Sequence, residues 1–142
     1  MKTTRTKAGE IERKWYIVDA ADKRLGRLAS FVTKYLMGKN KVTYSPDVDN
    51  GDGVIIINAS KMTFSGNKLK DKKYYTHSRY IGSIKEKNLE EMMEKHPDRV
   101  VKLAVKRMLP KNTLGRTMLT RLRVYAGKEH GHDAQKPESL TF

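Results

Sequence analysis

Val54-Ile55-Ile56-Ile57-Asn58 sets four β-branched residues in succession, the most apolar run in the chain. A run this short, with no polar alternation, predicts a central strand buried on both faces. Just upstream, residues 45–53 read Ser-Pro-Asp-Val-Asp-Asn-Gly-Asp-Gly, all turn chemistry. Before that turn, Leu25, Leu28, Ala29, Val32 and Leu36 recur on one helical face. Asp19 or Asp22 is placed to cap that helix, Lys34 suits its last turn, and Gly38 suits its end. Trp15-Tyr16-Ile17-Val18-Asp19 reads as a further buried strand. Strand, helix and strand in that order make a βαβ unit, whose crossover is right-handed by general rule.

Downstream, Ser65-Gly66-Asn67-Lys68 is a turn, and Lys72 to His77 reads as an exposed strand. Asn88 is placed to cap a short helix from Leu89 to Lys95, with Met92 and Met93 inward. Pro97 suits the first position of another helix, lined by Val101, Ala104, Val105 and Met108 and stopped by Pro110. Thr113 is placed to cap a short helix burying Leu114, Met118 and Leu122, and Arg123-Val124-Tyr125 reads as a last strand. The organisation expected is an extended basic arm over 1–14, ordered on a partner, one α/β domain over 15–127, and a polar tail over 128–142.

The chain has 142 residues, with 30 Lys plus Arg against 16 Asp plus Glu, no cysteine and a net charge of +14. The length suits one domain with a real core. Absent cysteine excludes disulfides, thiolate metal sites and cysteine nucleophiles. No apolar run reaches membrane-spanning length, and the N-terminus has no apolar signal region. Arg99 to Lys128 carries nine basic residues and no acidic one, and Lys23 to Lys41 carries six and none. Lys61 to Lys87 carries eight against two, and the first fourteen residues carry five against two. Four blocks interleaved with apolar segments suit a chain surrounded by folded RNA better than one lying on a membrane. An ordinary solvated basic surface is the plainer alternative, opposed by the self-repulsion of so much charge.

Enzyme chemistry finds little support. Gly38-Lys39 follows a helix and continues with Asn40, so no P-loop forms, and no G-x-G-x-x-G follows either strand. Counted from Asp47, the calcium-loop positions for Gly and Glu hold Asp52 and Asn58. Asp47, Asp49 and Asp52 are therefore expected to make local turn bonds. His130 and His132 with Asp133 form a weak metal signal, and a solvated or RNA-contacting pair fits them better. No G-x-S-x-G elbow exists, and Glu90, Glu91 and Glu94 beside Lys95 read as a solvated face.

Three features point to RNA instead. Lys39 and Lys41 share one turn, Lys68 and Lys70 another, and Lys111 precedes a helix; such loops can gather at one sheet edge. Tyr74, Tyr75, His77, Arg79 and Tyr80 mix rings with cations, which stack on unpaired bases and hold phosphate. Gly26-Arg27, Gly82 and Gly115-Arg116 set glycine beside cation. Tyr74 and Tyr75 also suit a packed sheet pair, and Gly26 and Gly115 also suit helix packing.

Val105-Lys106-Arg107-Met108-Leu109-Pro110-Lys111-Asn112-Thr113-Leu114-Gly115-Arg116, followed by Arg121-Leu122-Arg123-Val124-Tyr125-Ala126-Gly127, resembles the signature of the bacterial large-subunit ribosomal protein L thirteen family. Trp15 to Ala20, Leu25 to Ala29, Gly38 to Lys41, Asp49 to Asp52, Thr63 to Lys68, Lys72 to His77 and Gly127 to His132 extend it along essentially the whole chain. The chain departs from the pattern at Arg107 and near Asn112, where many members carry glycine, and at Ser83. The resemblance implies a three-layer α/β/α domain with a four-stranded, largely parallel sheet. It implies large ribosomal RNA and neighbouring large-subunit proteins as partners, early subunit assembly, a cytoplasmic ribosomal location, and neither catalysis nor cofactor.

The function expected is structural binding of ribosomal RNA, by phosphate neutralisation and shape recognition. The residues expected at the RNA are Lys39, Lys41, Lys68, His77, Arg79, Arg107, Lys111, Arg116, Arg123 and His130, with no metal site and no small-molecule substrate. The rivals are a small RNA- or nucleotide-acting enzyme, which needs a pocket of paired titratable groups, and a regulatory RNA binder acting off the ribosome.

Overall fold

The computed structural model describes residues 6–142. Strand β1 (Trp15–Asp19) leads into helix α1 (Leu25–Met37), which returns to β2 (Gly53–Ile57). Then come the single turn α2 (Lys68–Asp71), strands β3 (Lys73–His77) and β4 (Ile84–Asn88), and helices α3 (Leu89–Lys95), α4 (Pro97–Met108) and α5 (Thr113–Thr120). Strands β5 (Leu122–Val124) and β6 (Glu138–Ser139) complete the chain. A four-stranded sheet runs in the order β5-β2-β1-β6 with every pairing parallel, and β3 pairs β4 antiparallel apart from it.

The central strand sits where its composition predicts. Val54, Ile55 and Ile56 are wholly buried. One face of the sheet, with Val18, Val54, Ile56, Leu122 and Val124, packs with the apolar sides of α1, α4 and α5 in a single core. Trp15 and Ile55 point to the opposite face, by the alternation of side chains along each strand. Trp15 lies across Gly53, where a Cβ would come within 2.5 Å of the indole. The His132 ring stacks on that indole at 6.0 Å, and its Nε2 lies 2.7 Å from the Tyr125 hydroxyl. The third layer is thus built from the chain after Val124, with one short 3-10 turn at Asp133–Gln135.

That segment, read from sequence as a polar tail, supplies the fourth strand, and the Leu140 N–H donates to the Ile17 carbonyl at 2.9 Å. The His130–His132 pair is accordingly half-buried packing, not a solvated pair. Strand β4 is the other element without a signature in the sequence. Ile84-Lys85-Glu86-Lys87-Asn88 holds a single apolar residue, and only pairing with β3 makes it a strand. Of the arm expected over 1–14, the first five residues lie outside the described residues. Residues 6–14 lie along the 38–53 loop: the Thr6 hydroxyl donates to the Thr43 carbonyl, and the Lys14 N–H to Asp52 Oδ1.

Several local expectations shift. Arg24, not Asp19 or Asp22, is the N-cap of α1, and its side chain makes no cap bond. Asp19 instead accepts from the Ala21 N–H and the Asn58 amide, which together hold its carboxyl below the usual range. Gly38 ends α1 as predicted, at φ 77° in the left-handed region. The last short helix is capped by Asn112, whose Oδ1 accepts from the Gly115 N–H at 2.8 Å, so Thr113 is its first residue. Met108 is 43% exposed rather than inward, while Val100, outside the apolar face expected for α4, is buried. Tyr125 lies just beyond β5. Gly115 serves packing: a Cβ there would fall 1.9 Å from the Pro110 carbonyl oxygen. Gly115→Ala is expected to destabilise the fold by about 1–3 kcal/mol, as overpacking does, read as a lower urea midpoint at unchanged slope.

Asp47 accepts a local bond from the Ser45 hydroxyl, as expected of turn chemistry, but Asp49 and Asp52 are held from farther along the chain. Asp49 makes a two-armed pair with Arg121, both N–O distances being 2.5 Å, with both side chains nearly buried. Asp52, wholly buried, receives Lys41 Nζ at 2.7 Å. These two pairs clamp the 38–52 loop between the arm and the junction of α5 with β5.

Candidate nucleic-acid interface

The cations of residues 99–123 sort by helical geometry. On α4, Arg99, Leu103 and Arg107 fall at i, i+4 and i+8 and line one groove. Lys102 and Lys106, also four apart, turn toward α5. A groove between α4, α5 and β5 is walled by Lys102, Arg116 and Arg123, and the neighbouring one by Lys106, Lys111 and Arg116. Lys102 pairs with Asp98 at 3.1 Å. Lys106, Lys111, Arg116 and Arg123 are exposed and have no acidic partner among the described residues.

On the other side of α4, Arg107 lines two pockets. One lies under the β3–β4 hairpin with Tyr75, Lys85, Lys87, His96 and Arg99 on its walls. The other is bounded by Arg24, Lys68 and Lys72. None of these four hollows has an aspartate or glutamate among its lining residues. The basic surface therefore wraps around the C-terminal turn of α4, where adjacent Lys106 and Arg107 join its two sides. The helix dipole favours cations at that end.

The hairpin extends this surface. Tyr74 and Tyr75 are neighbours on one strand and point to opposite sides, so they do not form a packed pair. Tyr74 is buried, and burial raises its hydroxyl above the usual range; Tyr75 is 62% exposed. At the tip, Tyr80 and Ile81 are 78% and 107% exposed. Arg79 sits in the left-handed region at φ 69°, and its N–H donates to His77 Nδ1 at 2.9 Å. That bond fixes the turn that presents His77, Arg79 and Tyr80 together.

The ten residues expected at RNA thus divide. Lys68, Arg107, Lys111, Arg116 and Arg123 line the grooves around α4, and His77 and Arg79 stand on the hairpin. Lys39 is exposed beyond the C-terminus of α1, about 20 Å from the Arg24 end by helical rise. Lys39 and Lys68 therefore do not share one edge of the sheet. The Lys41 ammonium is turned inward onto Asp52 and the Glu12 carbonyl. His130 is half-buried, its Nδ1 accepting from the His132 N–H. Arg24, Lys72, Lys85, Lys87 and Arg99 join the grooves, although no sequence motif marks them. The four-residue spacing on α4 could have shown Arg99; the others come from segments that meet only in the fold.

Residues 13–131 match the family model for ribosomal protein L13. The chain belongs to the ribosomal protein L13 family. A "Large ribosomal subunit protein uL13" from Lachnospira eligens is 60% identical over 142 residues, covering 100% of both chains. Its namesake from Aquifex aeolicus is 59% identical over 140 residues, covering 99% of this chain and 97% of the relative. The one from Thermotoga maritima is 58% identical over 139 residues, covering 98% and 93%. Members of this family are structural constituents of the ribosome, so the chain is a ribosomal protein and not an enzyme. Among the described residues, no group of three or more His, Asp or Glu is placed to hold a metal, and no helix is long and apolar enough to cross a membrane.

Proposed function

We propose that the chain is a structural constituent of the large ribosomal subunit that binds the large ribosomal RNA, chiefly through the cations around the C-terminal turn of α4. The observation that carries this reading is four basic hollows with no acidic lining residue. Each phosphate seated there releases condensed counterion, so charge that destabilises the free protein stabilises the complex. Because the cations come from rigid helices and strand ends, they match a fixed arrangement of phosphates, which is recognition of shape. The hairpin adds Tyr75 and Tyr80 as stacking surfaces for unpaired bases, with Lys85 and Lys87 for the adjoining backbone. Joining RNA segments on two sides of α4 would support early assembly of the subunit, and neighbouring large-subunit proteins would share this surface. The location that follows is the cytoplasmic ribosome.

Sedimentation of cell extract on sucrose gradients at low and high salt tests the reading. The chain is expected to migrate with the large subunit and to stay there through moderate salt. Recovery in the soluble fraction alone would overturn it.

A further inference from the structure

Between the first turn of α1 and the last turn of α4 lies a pocket of about 320 Å³, within the range of small-ligand sites. Its walls are of two kinds. Leu25, Phe64, Tyr74, Leu89 and Met108 make it apolar inside, while Arg24, Lys68, Lys72 and Arg107 stand around it.

The Lys72 ammonium lies over the Tyr74 ring at 5.5 Å, but the pocket holds more than the free protein uses. The cations crowd one another with no acid between them: burial holds Lys72 below the usual lysine range, with Arg107 and Lys68 adding to the effect. Met108 leaves an apolar side chain 43% exposed at the wall. Gly26, the second residue of α1, lines the pocket, and a Cβ there would meet nothing within 4 Å. Glycine weakens a helix relative to alanine, and here no neighbouring group requires its absent side chain. No side chain caps α1 either, so its first turn can receive an anion.

We infer that this pocket receives one unstacked nucleotide of the bound RNA, its base against Phe64 and Met108 and its phosphate between Gly26, Lys68, Lys72 and Arg107. This rests on the RNA-binding reading above. An inorganic anion would satisfy the rim and leave the apolar interior wet. A free nucleotide would use the pocket but not the basic groove that Arg107 shares with it, whereas a strand continues from one to the other.

The test titrates the isotope-labelled full chain with a short single-stranded oligoadenylate, with adenosine 5′-monophosphate and with inorganic phosphate. The amides of Gly26 and Arg27 and the Met108 methyl are followed by NMR. The oligonucleotide is expected to move these signals and to bind more tightly than the monophosphate. The monophosphate should in turn bind about five- to a hundredfold more tightly than phosphate, the range a stacked base contributes. Gly26→Glu fills the open space with a carboxylate that also suits the positive end of the helix dipole. It is expected to keep or raise the melting temperature while weakening the oligonucleotide about tenfold or more, through lost stacking and repelled phosphate. Gln135→Glu adds the same charge on the exposed C-terminal segment and should change affinity little.

Phosphate binding as tightly as the monophosphate would overturn the proposal, and so would a monophosphate that matches the oligonucleotide. Oligonucleotide shifts at Lys111, Arg116 and Arg123 with Gly26, Arg27 and Met108 unmoved would overturn it and leave the RNA-binding reading intact. No shift anywhere, with the oligonucleotide or with large ribosomal RNA, would remove both.

Discussion

Asp49→Ala is expected to lower the stability of the fold by about 3–5 kcal/mol, the usual effect of removing one partner from a buried ion pair. The carboxylate receives both terminal nitrogens of Arg121 at 2.5 Å, and both side chains are largely shielded from water. Among the described residues, Arg121 Nε is buried with no hydrogen-bond partner, and the one other bond of the guanidinium goes from Nη2 to the Leu36 carbonyl at 3.4 Å. Without Asp49 a desolvated guanidinium keeps its charge and loses its counter-ion. The position also ties three segments, because Asp49 belongs to the 38–52 loop, Leu36 to the end of α1 and Arg121 to the junction of α5 with β5. Urea denaturation reads the effect as a fall in midpoint at constant slope. The double replacement Asp49→Leu with Arg121→Met should cost less than Asp49→Ala alone, since apolar pairs of similar size often replace buried ion pairs without loss. A single-variant loss below about 1 kcal/mol, the size of an exposed pair, would show that water reaches the pair.

The second large effect concerns binding. Lys111, Arg116 and Arg123 changed together to alanine should weaken binding to the large ribosomal RNA and flatten its salt dependence. The logarithmic slope should fall by about 2 to 2.7, from ~0.7–0.9 for each phosphate that is no longer neutralised. All three side chains are exposed and lack acidic partners among the described residues, so the melting temperature should hardly move. That separates this variant from Asp49→Ala, whose effect is on the fold. A slope equal to that of the unchanged chain would mean that these cations face protein or solvent in the subunit. Lys41→Ala makes a useful contrast. Its ammonium is bound to Asp52 and the Glu12 carbonyl, so its loss should act on stability more than on the salt slope.

The β1-α1-β2 unit, the helices after Asn88 and the large excess of positive charge are all legible in the sequence. Each rests on information held in contiguous residues: four β-branched residues for β2, the apolar spacing of Leu25 to Leu36 for α1, Gly38 and Pro97 for helix limits, and thirty basic residues for the charge. The long ordered motifs also carry the family. Which of those basic residues are free to bind is settled only when the chain has folded. Lys39 and Lys41 look alike two positions apart, yet one is exposed and the other is neutralised by an aspartate eleven residues on. Asp49 looks like turn chemistry until Arg121, 72 residues away, returns beside it. Strands β4 and β6 are too polar or too short to announce themselves, and they form because β3 and β1 offer unpaired backbone beside them. The pocket at Gly26 combines Arg24, Lys68, Lys72 and Arg107 from distant segments. Periodicity records how one segment meets a core, whereas the partner of a charge depends on which other segment packs against it, and no single stretch of chain contains that.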